Sequence, residues 1–177
     1  MRERVCVYPG SFNPFHAGHA DIVQQALQVF DKVIILVAVN PAKKYDVSAE
    51  KRKEIIETFY KNTPAVIVQT TKEAIANWCF LNKIEFIVKG IRNGNDLESE
   101  MTQKYYTTLI NCCTNTVFFT PSEHWQNVSS TAVRELIRLG QWQALYNVYG
   151  IDVSHCDDNS IEALSLIQKA YQVEQDY

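Results

Sequence analysis

Two histidines and a glycine-containing turn lie close together near the start of the chain. The segment from Tyr8 to His19 reads Tyr-Pro-Gly-Ser-Phe-Asn-Pro-Phe-His-Ala-Gly-His. Imidazole N–H groups donate hydrogen bonds to phosphate oxygens, and Gly10 lets the backbone approach a ligand closely. Gly18 is expected to give the turn its conformational freedom. These residue types at this spacing predict a site for a phosphate-bearing nucleotide.

This segment separates a predicted strand from a predicted helix. Val5 and Val7 belong to a short apolar run, and apolar residues recur at helical spacing from Ile22 to Phe30. His19 then falls near the first turn of the helix, where unpaired backbone N–H groups and the helix dipole favour an anion. The four-residue pattern alone is equally compatible with a helix cap and surface histidines.

Cationic residues follow two further predicted strands. Lys43 and Lys44 come after the apolar run 32–39, and Lys89 to Arg92 (Lys-Gly-Ile-Arg) follows a shorter apolar run. The carboxyl ends of parallel strands meet at one edge of a sheet, which is where ligands of α/β proteins bind. Lysine offers phosphate a mobile point charge, and arginine offers a bidentate fork. A pair of solvated lysines is the structural alternative.

A third polar element, Trp125 to Thr131, reads Trp-Gln-Asn-Val-Ser-Ser-Thr and opens a predicted helix. Its hydroxyls and free backbone N–H groups form a second candidate anion cradle, and Trp125 could cover a planar base. A capped helix with a packed tryptophan explains Ser129 and Trp125 equally well. It explains three consecutive hydroxyl residues less well.

Strands and helices alternate along the chain up to about residue 140. This rhythm predicts an α/β fold, a Rossmann-like single domain with a parallel sheet flanked by helices. Residues 1–140 form the predicted core, and residues 141–177 form a helical C-terminal extension of the same domain, with a role in packing or in an oligomer contact. We expect further strands at 65–68, 86–88 and 116–119, and helices at 48–60, 72–82, 95–111 (capped by Asn95 with Glu98), 129–140 and after the cap 157–160.

Composition limits the partners and the compartment. The 177 residues carry 17 basic and 20 acidic side chains, so a net charge of −3 gives no reason to expect a nucleic-acid or anionic-membrane surface. Any phosphate site must therefore be local. The five cysteines show neither a disulfide framework nor zinc spacing, and no apolar run has the length of a membrane span. A reducing cytoplasm is the expected location.

The motifs, taken in order, resemble the nucleotidyltransferase superfamily and in particular the bacterial phosphopantetheine adenylyltransferases. The resemblance runs from Val5 to Leu139 through Gly-Ser-Phe-x-Pro, Gly-His, Pro-x-Lys-Lys, Lys-Gly-Ile-Arg, Asp-x-Glu-x-Glu-Met and Trp-x-x-Val-Ser-Ser-Thr. It implies a Rossmann-like fold, a homo-oligomer, usually a hexamer, and transfer of the adenylyl group of ATP to 4′-phosphopantetheine, which gives dephospho-coenzyme A and pyrophosphate. It also implies Mg²⁺, held mainly by the ATP phosphates because the sequence offers no carboxylate cage.

The resemblance implies roles for individual residues by motif position. His19, Lys43 and Arg92 are the expected catalytic residues, and His19 would stabilise the transition state. The expected acceptor site consists of Ser11, Lys43, Ile75 and Lys89. The expected ATP site consists of Gly10, Ser11, Phe12, His16, His19, Gly90, Ile91, Arg92, Glu100, Trp125, Gln126, Asn127, Val128, Ser129, Ser130 and Thr131.

Two positions depart from the pattern of the adenylyltransferases that use phosphopantetheine. That family commonly has threonine where His16 stands and arginine where Lys89 stands. His16 instead resembles the His-x-Gly-His of nicotinamide or nicotinate mononucleotide adenylyltransferases, and Ser129 to Arg134 resembles their late motif. A pyridine mononucleotide is therefore an alternative acceptor. A non-catalytic nucleotide-binding protein is a third interpretation.

Overall fold

A computed structural model describes residues 2–40, 44–45, 47–110, 113–149 and 158–171. Five strands form one parallel sheet: β1 Val5–Gly10, β2 Lys32–Ala38, β3 Val66–Thr71, β4 Phe86–Gly90 and β5 Asn115–Phe119. Their order across the sheet is β3-β2-β1-β4-β5. The chain therefore reverses its direction of winding between β1 and β4, and such a switch point leaves a crevice beyond the carboxyl ends of the strands.

Helices follow the strands. They are α1 Ala17–Leu27, α2 Ala49–Phe59, α3 Ile75–Leu81, α4 Gly94–Ile110, α5 Ser130–Arg138, α6 Trp142–Val148 and α7 Asp158–Tyr171, with a short 3₁₀ turn at Glu123–Trp125. Within the described ranges, no helix combines the length and the apolar character that crossing a membrane requires. The predicted α/β class with a parallel sheet is confirmed.

The core has three parts because the sheet is covered on both faces and the C-terminal helices add their own layer. One cluster, which includes Val23, Ile35 and Ile56, unites α1 and α2 with the sheet. The opposite face packs Leu36 against Trp78 of α3. In the third cluster α5, α6 and α7 pack their apolar faces on one another and on α2. Residues 142–149 and 158–171 are thus integrated with the α/β body.

Local boundaries differ from the sequence predictions at two helices. The predicted cap Asn95 is wrong: Asn93 caps α4, because its Oδ1 accepts a hydrogen bond of 3.0 Å from the backbone N–H of Asp96. Helix α3 begins at Ile75 instead of residue 72. There β3 continues to Thr71, whose Oγ1 accepts the N–H of Glu73 and stabilises a turn before the helix. The predicted Ser48 and Ser129 caps are confirmed.

Candidate active site

A cavity of about 610 Å³ opens at the carboxyl edge of the sheet. Its walls come from the ends of β1 and β4, the first turn of α1, the start of α4 and the first turn of α5. The three polar elements that the sequence predicts at this edge are therefore represented around one space. Their convergence at the switch point of the sheet makes this cavity the candidate active site.

His19 lies in this cavity with its ring orientation fixed. It is the third residue of α1, and its Nδ1 accepts a hydrogen bond of 3.2 Å from the backbone N–H of His16. The His16 ring stacks on it with 3.7 Å between centroids, and Phe15 stacks at 5.4 Å. Because Nδ1 accepts, a neutral His19 ring carries its proton on Nε2. The ring thus offers one N–H donor that the helix does not use.

Both histidines are neutral at physiological pH. Burial of the imidazole lowers the pKa of His16 to about 3, and the positive charge of Arg92 acts in the same direction. Burial also lowers the pKa of His19 well below its ordinary value, with His16 and Arg92 adding to the effect. His19 can therefore donate a hydrogen bond to a phosphate oxygen but brings no full positive charge.

The structure gives two glycines of this segment a steric role. Gly18 lies inside α1 and not in a turn, so the expectation of turn freedom is wrong. A Cβ at Gly18 would lie 3.2 Å from the His16 ring, and one at Gly10 would lie 2.7 Å from Phe12. Both glycines make room for the packed aromatic rings that fix the histidines, which is a steric requirement of the protein itself.

Two cations in the cavity form ion pairs with carboxylates of α4. Lys89 Nζ lies 2.8 Å from Glu100 Oε2, and both side chains are largely buried. Arg92 holds Asp96 with two side-chain N–H groups at 2.9 and 3.3 Å. Partial burial raises the pKa of Asp96, but the hydrogen bonds and charge of Arg92 outweigh this and leave that pKa below its ordinary value. The carboxylates hold the two cations in place before any anion binds.

The start of α5 contributes hydroxyls that already have partners. Ser129 Oγ accepts the N–H of Ala132, Ser130 Oγ donates to the Pro14 carbonyl at 2.9 Å, and Thr131 Oγ1 accepts from Arg134. All three residues also line the cavity. The Ser130 hydroxyl thus fastens α5 to the segment before α1, whereas the Ser129 and Thr131 hydroxyls pair within α5.

Most of the predicted site residues meet in the cavity. Ile91, Gln126 and Asn127 do not line it, and Lys43 lies outside the described residues. Ile75 lines a neighbouring cavity of about 40 Å³ together with Lys89 and Glu100, which border both spaces. The cavity is lined by Gly10, Ser11, Phe12, His16, His19, Lys89, Gly90, Arg92, Glu100, Trp125, Val128, Ser129, Ser130 and Thr131. Their individual roles remain predictions.

Lys44, a candidate cation in the sequence, lines the cavity. Two arginines of the site were given no role from the sequence. Arg134 reaches the cavity from α5 and donates to the Asn13 carbonyl. Arg52 is buried in α2 and donates to the Ser11 carbonyl. An arginine in a helix with other charged residues is expected from the sequence to face solvent. The burial of Arg52 sets it apart, and that burial depends on the tertiary fold.

Among the described residues, no group of three or more histidine, cysteine, aspartate or glutamate side chains could hold a metal ion. The two acidic groups that line the cavity, Asp96 and Glu100, are paired with Arg92 and Lys89. Both carboxylates are therefore already engaged by cationic side chains.

Comparison with known proteins agrees with this geometry. The profile of the cytidylyltransferase-like family matches residues 7–136. A phosphopantetheine adenylyltransferase of Thermotoga neapolitana is 35% identical over 136 residues, which cover 77% of this chain and 84% of that protein. The same-named protein of Christiangramia forsetii is 37% identical, with 76% and 88% covered. That of Borreliella burgdorferi is 38% identical, with 76% and 83% covered.

Proposed function

We propose adenylyl transfer from ATP to 4′-phosphopantetheine as the reaction, since the chain belongs to the phosphopantetheine adenylyltransferases of the cytidylyltransferase-like family. The observation that carries the proposal is the joint placement of His19, Lys89 and Arg92 around one cavity at the switch point of the sheet. This arrangement supports binding of two anionic substrates side by side. The products would be dephospho-coenzyme A and pyrophosphate.

The reaction is an in-line attack by a phosphate oxygen of the acceptor on the α-phosphorus of ATP. A bond forms between that oxygen and the α-phosphorus, and the bond to the departing pyrophosphate breaks. A phosphate monoester is already a competent nucleophile near neutral pH, so no general base and no covalent enzyme intermediate are required. Catalysis then depends on holding both anions in line and on stabilising the charge that develops.

The cavity residues are suited to those two tasks. Nε2–H of His19 is a preorganised donor for an α-phosphate oxygen, because the backbone already holds its Nδ1. Arg92 can share its guanidinium between Asp96 and a nucleotide phosphate, and Lys89 can hold the phosphate of the acceptor. Lys43, which the family resemblance adds to the catalytic set, lies outside the described residues.

Mg²⁺ is part of the proposal as a companion of ATP. The ion would supply charge neutralisation on the phosphate oxygens when bound. The paired state of Asp96 and Glu100 supports coordination chiefly by the nucleotide and water. Arg92, Lys89 and His19 would still have to orient the phosphates themselves.

Pyrophosphate release tests the acceptor. With ATP and Mg²⁺, we expect turnover with 4′-phosphopantetheine and at most weak turnover with nicotinamide or nicotinate mononucleotide. Turnover only with a pyridine mononucleotide would establish the alternative acceptor, which His16 suggests in the sequence. An absence of turnover with all three, from a folded protein that binds ATP, would favour a non-catalytic nucleotide-binding protein.

A homo-oligomer in the cytoplasm completes the proposal, with six copies as the family resemblance implies. Helix α4 buries none of its residues within the chain. Its exposed apolar side chains recur mainly at spacings of four, which supports contact with another copy. Sedimentation velocity is expected to give six times the 20.3 kDa of one chain, and a monomeric species at micromolar concentration would contradict this. The side chains are Leu97, Met101, Tyr105, Tyr106, Leu109 and Ile110.

A further inference from the structure

Side chains of other helices hold the loop that joins β1 to α1, residues 11–16. Residues 12–16 are buried, so their backbone carbonyls need hydrogen-bond donors. Arg52 of α2 donates to the Ser11 carbonyl, Arg134 of α5 to that of Asn13 and Ser130 of α5 to that of Pro14. Donors on α2 and α5 thus bind three backbone carbonyls of this loop.

Two further donors come from residues beyond 136, where the family match ends. Tyr149, which follows α6, donates its hydroxyl to the Phe15 carbonyl at 2.8 Å. Tyr171, at the end of α7, donates to Asn13 Oδ1 at 2.7 Å. Both rings are more than nine-tenths buried, and burial raises the pKa of Tyr149 well above its ordinary value. Tyr149 therefore keeps its proton and remains a donor.

The Tyr149 hydrogen bond ends on the same peptide unit that holds the catalytic histidine. The C=O of this unit belongs to Phe15 and accepts from Tyr149, while its N–H belongs to His16 and donates to Nδ1 of His19. A peptide group is planar, so a donor that fixes its C=O also fixes the direction of its N–H. Hydrogen bonds in such a chain also polarise one another.

We propose that Tyr149 and Tyr171 are positioning residues for His19. They hold the loop so that the Phe15–His16 peptide keeps Nδ1 of His19 as acceptor and Nε2–H as the donor towards the cavity. The C-terminal helices thereby contribute to catalytic geometry as well as to packing. The effect on turnover rests on the proposed function, whereas the effect on the His19 tautomer does not.

Tyr149→Phe removes one hydroxyl and keeps the ring that stacks on Phe59 at 6.0 Å. We expect turnover to fall about tenfold, the rate equivalent of one neutral hydrogen bond, with the KM for ATP nearly unchanged. Tyr171→Phe is also expected to lower turnover. This second variant tests the proposal if Tyr149→Phe does not fold. Tyr146→Phe, on α6, is the matched control, because Tyr146 makes no hydrogen bond to this loop in the described structure.

The readout specific to positioning is the ¹⁵N spectrum of His19 in the substrate-free protein. We expect the Nε2–H tautomer in the wild type and a mixture with the Nδ1–H tautomer in either variant. An unchanged His19 spectrum in both folded variants would overturn the proposal, whatever turnover does. A tautomer shift without turnover on 4′-phosphopantetheine in the wild type would support positioning and refute only the acceptor.

Discussion

Replacement of His19 by alanine is expected to lower turnover by roughly 100-fold or more, about 2.7 kcal/mol, which is the scale for losing one preorganised donor to a transition-state oxyanion. The structure gives the reason for a large effect. Nδ1 is held by the His16 backbone N–H, so the remaining donor is preoriented before ATP binds. A neutral ring gains most where negative charge grows on the α-phosphate, and much less in the ground state.

Calorimetric titration of ATP and steady-state rates separate the two effects. We expect the ATP dissociation constant to change by less than about fivefold while turnover collapses. Lys53→Ala is a suitable control, since Lys53 pairs with Glu57 on α2 and does not line the cavity. A fall in ATP affinity as steep as the fall in turnover would make His19 a ground-state ligand and refute its catalytic role.

The β1–α1 part of the site could be predicted from the sequence because it depends on patterns of neighbouring residues. An apolar run predicts β1, helical periodicity predicts α1, and Ser48 and Ser129 announce the starts of α2 and α5. Parallel strands then bring their carboxyl ends to one edge of the sheet, so the sequence alone assigns the cationic segments after β2 and β4 to that edge. The α/β class and the position of His19 both follow from such short-range patterns.

The support of the β1–α1 loop could not be predicted because it is assembled over long distances in sequence. The Arg52 donor is 41 residues from Ser11, and the Tyr171 donor is 158 residues from Asn13. Nothing about a tyrosine near the end of a chain marks it as a partner of an asparagine near the start. The Tyr171–Asn13 pair forms only once α7 has packed on α2 and α5.

The two ion pairs of the cavity differ in how far the sequence predicts them. Arg92 and Asp96 are four residues apart, so the sequence alone suggests their contact. Lys89 lies at the end of a strand and Glu100 in the second turn of a helix, so their contact depends on how the two elements pack. The resemblance assigned Glu100 to ATP and Lys89 to the acceptor. Their contact at 2.8 Å places a neutralising charge beside Glu100, so removal of Lys89 leaves that carboxylate without its partner.

Lys89→Ala is expected to raise the KM for the acceptor by roughly 10- to 100-fold with little change in the KM for ATP. The variant loses a charge-assisted hydrogen bond and leaves the Glu100 carboxylate uncompensated in a largely buried position. Glu100→Gln in the Lys89→Ala background should therefore recover part of the loss. Lys89→Arg should retain or improve acceptor affinity, since a guanidinium keeps the charge and adds a fork.

Arg92→Ala should show the opposite preference and raise the KM for ATP more than that for the acceptor, because Arg92 is assigned to the nucleotide. Its removal also leaves the Asp96 carboxylate without its partner, and that charge would repel the nucleotide phosphates. Arg138→Ala is the matched control, because Arg138 is exposed on α5 and pairs with Glu135 outside the cavity. Steady-state kinetics with each substrate varied in turn give the KM for ATP and the KM for the acceptor in both variants. Equal effects of Lys89→Ala and Arg92→Ala on both substrates would mean that this turn does not divide acceptor from nucleotide.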